Sequence, residues 1–235
     1  MTSYLFDPPA IHAIPVSGAS AQYPVSRIFC VGRNYAAHAA EMGNEVDREA
    51  PFYFTKSPQA LLATGAILPY PPGTQDLHHE MELALAIGQP VFRATRDAAR
   101  AAIFGYGCAL DMTRRDLQGA AKDKRRPWDL GKDFEGSAVL APLTPAEAMG
   151  EIGPQRIHLA VNGEIRQDAT LDEMIHGVAE IVADLSRYYH LAPGDLILTG
   201  TPAGVGAVGP GDVLRGGIDG LAPISLTIGP ADQPA

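Results

Sequence analysis

The sequence predicts an α+β domain in which short β-strands dominate. Of its 235 residues 25 are Gly and 20 are Pro. A chain so rich in turn formers reads as many short strands joined by tight loops, not as a helix bundle. Asn162-Gly163 stands between the strand-like runs 157–161 and 164–167, a two-residue hairpin signal. The segments 193–198 and 210–214 each open with Pro-Gly-Asp and continue into apolar residues, as turn-then-strand units do.

Taken in order, residues 1–25 are rich in Pro and Ala, show little periodicity, and read as a surface extension or an irregular first segment. The organised domain begins with the strand 27–31, ended by Gly32, and an Ala-rich helix over 35–42 stops at Gly43. A strand is predicted over 51–56, a Pro-rich loop over 68–73, and a strand over 79–87. A helix over 95–104 runs into the apolar segment 103–111, and a second helix covers 114–124. Apolar positions at Met174, Ile175, Val178, Ile181, Val182 and Leu185 predict a single helix over 172–189. No linker divides the chain, so the organisation expected is an extension (1–25), one catalytic domain (26–229) and a tail (230–235).

Composition narrows the function. Hydrophobic residues make up 46% and charged residues 19%, as in an ordinary globular chain. A net charge of −9 and a pI near 5.2 argue against nucleic acid as a partner. An acidic protein that handles an anionic substrate needs a local positive centre, and a bound divalent cation is one way to supply it. Cys30 and Cys108 both lie in apolar runs and are expected as buried free thiols. There is no apolar stretch long enough to span a membrane and no secretory pattern, which predicts a cytoplasmic protein.

The chemistry concentrates in a few places. In a strand, residues i and i+2 share a face, so Glu80 and Glu82 aim two carboxylates at one spot. The pair reads either as a solvated acidic edge or as half of a cation site. Asp111 closes the apolar run that starts at Ile103 and favours the second reading. Three carboxylates suit Mg²⁺ or Mn²⁺, which prefer oxygen ligands. His38 and Glu41 are i and i+3 on the predicted helix. They form either a surface salt bridge or a base braced by a carboxylate. The Gly-rich loop 199–206 is followed by Pro210-Gly211 and not by a helix. That excludes a dinucleotide site and leaves open a tight turn that donates N–H groups to a small carboxylate. The run 122–126 is basic, short, and expected to be solvated.

Together these motifs resemble the fumarylacetoacetate hydrolase family, in particular its short acylpyruvase and fumarylpyruvate hydrolase members. The resemblance rests on Val31-Gly32-Arg33-Asn34-Tyr35 with His38 and Glu41, on Leu77-His78-His79-Glu80-Met81-Glu82-Leu83, and on Leu110-Asp111 through Gln118. It continues with Pro127-Trp128 through Lys132 and Phe134, and with Gly194-Asp195 through Pro202. It implies a mixed β-sandwich roll and a homodimer. It implies Glu80, Glu82 and Asp111 as ligands of Mg²⁺ or Mn²⁺, His38 and Glu41 as the water-activating pair, and Lys132 and Gln118 as contacts to the reacting part of the substrate. Arg33, Tyr35, Arg115 and Thr201 would lie around the same pocket. The activity implied is hydrolysis of the C3–C4 bond of a 2,4-dioxo acid, with fumarylpyruvate giving fumarate and pyruvate. Decarboxylation of oxaloacetate or isomerisation of a dioxo acid on the same scaffold is the alternative, and a non-catalytic metal-dependent binder is a third reading. Relatives often carry Lys-Pro where this chain has Lys56-Ser57-Pro58, so no contact is assigned to Lys56. A second carboxylate on the substrate would need a cation at the far end of the pocket, and Arg114, Arg125 and Arg126 stand nearby in sequence.

Overall fold

The structure, a computed structural model, describes residues 3–41, 43 and 48–232. The predicted helix end at Met42 and the outermost residues of the predicted extension and tail (1–2 and 233–235) lie outside the described residues. The first third of the chain contains β1 (Ala13–Pro15), β2 (Gln22–Pro24), β3 (Arg27–Gly32), α1 (Ala36–Glu41), β4 (Phe52–Lys56), β5 (Leu61–Ala63), β6 (Ile67–Tyr70) and β7 (Leu77–His79). Then come β8 (Met81–Ile87), α2 (Arg96–Ala101), β9 (Ile103–Asp111), β10 (Thr113–Arg114), α3 (Arg115–Asp123), α4 (Asp129–Lys132), β11 (Ala138–Leu140), β12 (Thr144–Pro145) and α5 (Ala146–Met149). The last part holds β13 (Arg156–Val161), β14 (Glu164–Thr170), α6 (Val178–Leu185), β15 (Asp195–Leu198), β16 (Gly206–Val208), β17 (Val213–Ile218) and β18 (Ile224–Ala231).

The main sheet runs β4-β3-β15-β8-β9-β11-β5, with β12 paired to β9. A second sheet has the order β14-β13-β17-β18-β6, and a third, β10-β7-β16, joins them at the site. The fold is therefore α+β and β-rich, as the composition requires.

Strand β8 shows why the core divides. Met81, Leu83, Leu85 and Ile87 pack into the larger apolar cluster, whereas Ala84 and Ala86 face a second one containing Ile28, Cys30, Ala109, Leu196 and Leu198. Both faces are buried, so large residues fill one side and small residues line the other. Glu82 is two residues before Ala84, Asp111 is two residues after Ala109, and the ladder pairs Glu82 with Ala109. The two-residue period thus puts both carboxylates on the small-residue face. Lys56 ends β4, three intervening strands away from β9, yet its Nζ lies 2.8 Å from Asp111 Oδ1. Such a contact needs a sheet curled until its far strands approach.

Several elements differ from the sequence expectation. The predicted strand 79–87 is two strands meeting at Glu80, because Met81 N–H donates to the Gln167 side chain (2.9 Å) at the joint between two sheets. The predicted loop 68–73 begins with β6. Strand β6 pairs in parallel with β18, and the prolines that suggested a loop are tolerated at this sheet edge. The predicted helix 172–189 shrinks to α6. Upstream, Thr170 and Glu173 form a capping box on a short 3₁₀ turn, and Ile175 N–H donates to Asn34 O (2.8 Å) in place of a helical bond. The helix over 95–104 stops at Ala101, and Ile103 already belongs to β9.

The segment before Ser26 contains the β1–β2 hairpin, with Ile14 and Tyr23 buried. The Tyr23 hydroxyl accepts from Gly194 N–H (2.8 Å) and faces the Ile87 and Asp195 carbonyls at 2.8 and 2.9 Å. Other expectations hold. Asn162 and Gly163 both have positive φ (54° and 85°) at the β13–β14 turn, as a type I′ hairpin demands. Cys30 and Cys108 are free and buried in different clusters.

Candidate active site

The site forms where the main sheet meets β7 and α3. Strands β8 and β9 are antiparallel neighbours, and Asp111 N–H donates to Glu80 O (2.9 Å), so Glu80 and Asp111 are fixed side by side. One ligand atom from each of Glu80, Glu82 and Asp111 can be chosen so that all three lie within 4.8 Å of one another, and all three residues are buried.

Three cationic side chains match the trio in number, but they pair only with Glu80 and Asp111. Lys132 Nζ donates to Glu80 Oε2 (2.7 Å), Asp111 Oδ2 (2.6 Å) and Thr113 Oγ1 (2.7 Å). Arg115 donates to Glu80 Oε1 (2.5 Å) and to Gln118 Oε1 (2.7 Å). Lys56 pairs with Asp111 Oδ1 and donates to the Lys132 and Met112 carbonyls. Burial disfavours the Glu80 charge, but Lys132 and then Arg115 outweigh it and hold this carboxyl well below the usual range. Burial likewise opposes the Lys132 ammonium, yet Asp111 and Glu80 keep its pKa above the ordinary value.

Glu82 is different. Its Oε2 accepts from Gly200 N–H (2.7 Å), but among the described residues no Lys, Arg or His lies in ion-pair range of it. Burial first, then Asp111 and Glu80, push its pKa well above the carboxylate range. A buried carboxylate turned toward two others and short of positive charge fits a divalent cation. The donor set is all oxygen, as Mg²⁺ or Mn²⁺ prefers.

Facing this cluster, His38 is buried on α1 and its Nδ1 lies 3.2 Å from Glu41 Oε2. Burial lowers its pKa, with Glu80 and Glu41 acting in the opposite direction. Glu41 is held in turn by Gly204 N–H, 3.1 and 3.2 Å from its two oxygens. The Gly-rich loop, expected to offer its N–H groups to a small carboxylate, instead donates from Gly200 and Gly204 to the chain's own Glu82 and Glu41. Gly204 has φ +95°, and a Cβ there would stand 1.9 Å from Arg166 O. Gly204→Ala is therefore expected to lower stability by about 1–3 kcal/mol through strain and to slow turnover by releasing Glu41. Thermal melting and steady-state rates check this.

One pocket brings together Arg33, His38, Glu80, Glu82, Arg115, Gln118, Lys132 and Thr201. Tyr35 is buried but is not among the residues lining it, and its hydroxyl lacks a hydrogen-bond partner among the described residues. Thr201 Oγ1 donates to Met81 O (2.8 Å) and accepts from Gln167 Nε2 (2.8 Å). Arg114 does not line the pocket; it stacks over Phe134 and donates to Leu130 O.

Several contributors were not legible in the sequence. Lys56 is buried against Asp111. Gln167 crosses from β14 to brace the joint at Glu80, and beside it burial pushes the His79 imidazole down to about 4. Asn34 ties the loop after β3 to the His176 and Thr199 carbonyls. Lys122, expected in a solvated basic run, is half-buried, and it lines the pocket with Trp128 and Phe54.

The profile of the family described as fumarylacetoacetate (FAA) hydrolase, C-terminal, matches residues 27–229. The chain is 54% identical over 193 residues to a fumarylpyruvate hydrolase of Ralstonia sp, covering 81% of this chain and 100% of that one. It is 44% identical over 204 residues to the oxaloacetate tautomerase YcgM of Escherichia coli (strain K12), covering 86% and 93%. The crystal structure of a fumarylpyruvate hydrolase from Pseudomonas aeruginosa in complex with Mn²⁺ and pyruvate superimposes with a TM-score of 0.94 at 44% identity, covering 97% of this chain and all of that one. The match over residues 27–229 and the identity to these relatives place this chain in the fumarylacetoacetate hydrolase family.

Proposed function

We propose that the protein is a metal-dependent hydrolase that cleaves the C3–C4 bond of a 2,4-dioxo acid, with fumarylpyruvate giving fumarate and pyruvate. The observation that carries this reading is the buried Glu82 carboxylate, short of counter-charge beside Glu80 and Asp111 and sharing a pocket with His38. The Ralstonia and Pseudomonas relatives, named fumarylpyruvate hydrolases, support it.

Glu80, Glu82 and Asp111 would hold the cation, Mg²⁺ or Mn²⁺, the latter present in the Pseudomonas relative. A divalent ion there supplies Lewis acidity that favours enolate character at the 2-oxo end of the substrate. The remaining steps fall to the chain. His38, neutral and oriented by Glu41, takes a proton from water as its oxygen bonds to C4. Gln118, whose Oε1 accepts from Arg115 and whose amide N–H groups remain free among the described residues, donates to the oxyanion formed at C4. Lys132, with its three N–H groups on Glu80, Asp111 and Thr113, acts on that oxyanion through its charge. The C4 oxyanion then reforms its carbonyl as the C3–C4 bond breaks with its electron pair passing to C3. The proton taken up by His38 is returned to C3, completing pyruvate, and C4 leaves as a carboxyl group of fumarate. Arg115, fixed against Glu80 and Gln118, keeps these groups in register, while Arg33 and Thr201 complete the substrate's surroundings; Tyr35, outside the pocket lining, makes no contact in this reading. A homodimer belongs to the same reading, supported by the family resemblance, and a cytoplasmic location is proposed from the sequence's lack of an apolar span and of a secretory pattern. Among the described residues no helix is long and apolar enough to cross a membrane.

A second reading, oxaloacetate decarboxylation or tautomer chemistry, is favoured by the YcgM relative. Fumarylpyruvate, acetylpyruvate and oxaloacetate, each assayed with Mn²⁺ and with EDTA, separate the two. The hydrolase reading expects pyruvate and fumarate from fumarylpyruvate, abolished by EDTA. Turnover of oxaloacetate alone overturns it.

A further inference from the structure

We propose that Lys122, assisted by Arg33, forms the subsite that reads the second, far carboxylate of a dicarboxylic dioxo acid. The inference rests on the hydrolase reading and specifies its substrate class. Four cations line the pocket: Arg33, Arg115, Lys122 and Lys132. Arg115 and Lys132 are committed to Glu80 at 2.5 and 2.7 Å. Among the described residues Lys122 and Arg33 have no acidic partner. Lys122 is half-buried, with its Nζ 4.8 Å from the centroid of the Trp128 ring. A partly desolvated ammonium without an anion is a cost that a ligand carboxylate relieves. The local field agrees: burial, then Arg115 and Arg33, push the Lys122 pKa down to about 8 against the opposing pull of Glu80.

Helix geometry supplies the spacing. Arg115, Gln118 and Lys122 fall at i, i+3 and i+7 on α3, one stripe along a single face. Seven residues advance roughly 10 Å, so Lys122 stands two turns from the group touching Glu80. The two carboxylates of a seven-carbon dioxo diacid are six carbon–carbon bonds apart, on the order of 7–8 Å when extended. Long, flexible side chains at both ends cover the difference. Arg33 adds a second indication. It has φ +58°, a conformation that costs a non-glycine residue and recurs at ligand sites.

The test compares fumarylpyruvate with crotonylpyruvate, which carries a methyl in place of the far carboxylate. In Lys122→Met, kcat/KM is expected to fall about 10–100-fold further for fumarylpyruvate than for crotonylpyruvate. Lys122→Arg should restore most of the difference. Equal losses on both substrates overturn the proposal. So does a selective loss in Arg126→Met, which would move the far carboxylate into the neighbouring groove that Arg126 lines with Trp128. A second readout does not depend on turnover, because Trp128 is the single tryptophan of the chain. Fumarate added to the Mn²⁺-loaded protein is expected to change its fluorescence in the wild type and much less in Lys122→Met, with crotonate weak in both. Absence of any fumarate response in the wild type overturns the subsite. If the wild type hydrolyses neither dioxo acid yet responds to fumarate, the hydrolase reading fails and the carboxylate site stands.

Discussion

Glu82→Gln is expected to lose Mn²⁺ binding and turnover together while the metal-free protein stays folded. The amide keeps the size of the side chain and an oxygen to accept from Gly200 N–H, so packing and the backbone bond survive. What disappears is the negative charge. Without an ion, that charge is unfavourable beside Asp111 and Glu80, so its removal does not destabilise the empty protein and can stabilise it. With an ion, one of three anionic ligands is gone. The loss of affinity should exceed the roughly 10–100-fold that follows from deleting a partner outside the ligand set. Calorimetric Mn²⁺ titration, thermal melting and rates on the same preparations measure all three quantities. An unchanged Mn²⁺ affinity would remove the ion from this pocket.

His38→Ala is expected to do the reverse, binding Mn²⁺ as the wild type does while kcat falls about 10²–10⁴-fold, the usual contribution of a general base. The pH profile gives a second check. A base works when neutral, and burial lowers the His38 pKa from its ordinary 6.5. Activity should therefore persist as pH falls through 6.5 and decline only below it, through the lowered pKa. In His38→Ala that acidic limb should vanish along with most of the rate. Near-normal turnover in the variant would show that water is activated elsewhere.

The carboxylate trio could be found in the sequence because strand periodicity and an apolar run ending in Asp111 both pointed to it. Even so, the strand predicted to carry Glu80 and Glu82 breaks at Glu80. Asp111 joins the pair because β8 and β9 lie side by side, which no local pattern encodes. The same reason hid Lys56: its contact with Asp111 depends on how far a sheet of several strands curls. Gln167 sits on an otherwise exposed hairpin strand, and only the packing of β14 against the Glu80 joint reveals it as buried. Local chemistry misled in two places. The apolar spacing over 172–189 suits a helix, yet the capping box at Thr170 and the bond from Ile175 to Asn34 use its first third differently. Lys122 looked like one more residue of a solvated basic run, and its place on the inner stripe of α3 shows only once the helix is oriented.

The order of the main sheet bears on how the chain emerges from the ribosome. Strand β15 lies between β3 and β8 and pairs with both, and Asp195 meets Arg27 from 168 residues away. At about 5–20 residues per second, the strand that fills this gap follows β3 by roughly 10–30 s. Until then β3 and β8 each carry an open flank, the kind of edge that recruits other chains. Glu82 also waits for the Gly200 amide. The nascent polypeptide is thus inert and prone to adhesion until its last fifth appears, and holding it apart from its neighbours during that interval is a task for chaperones.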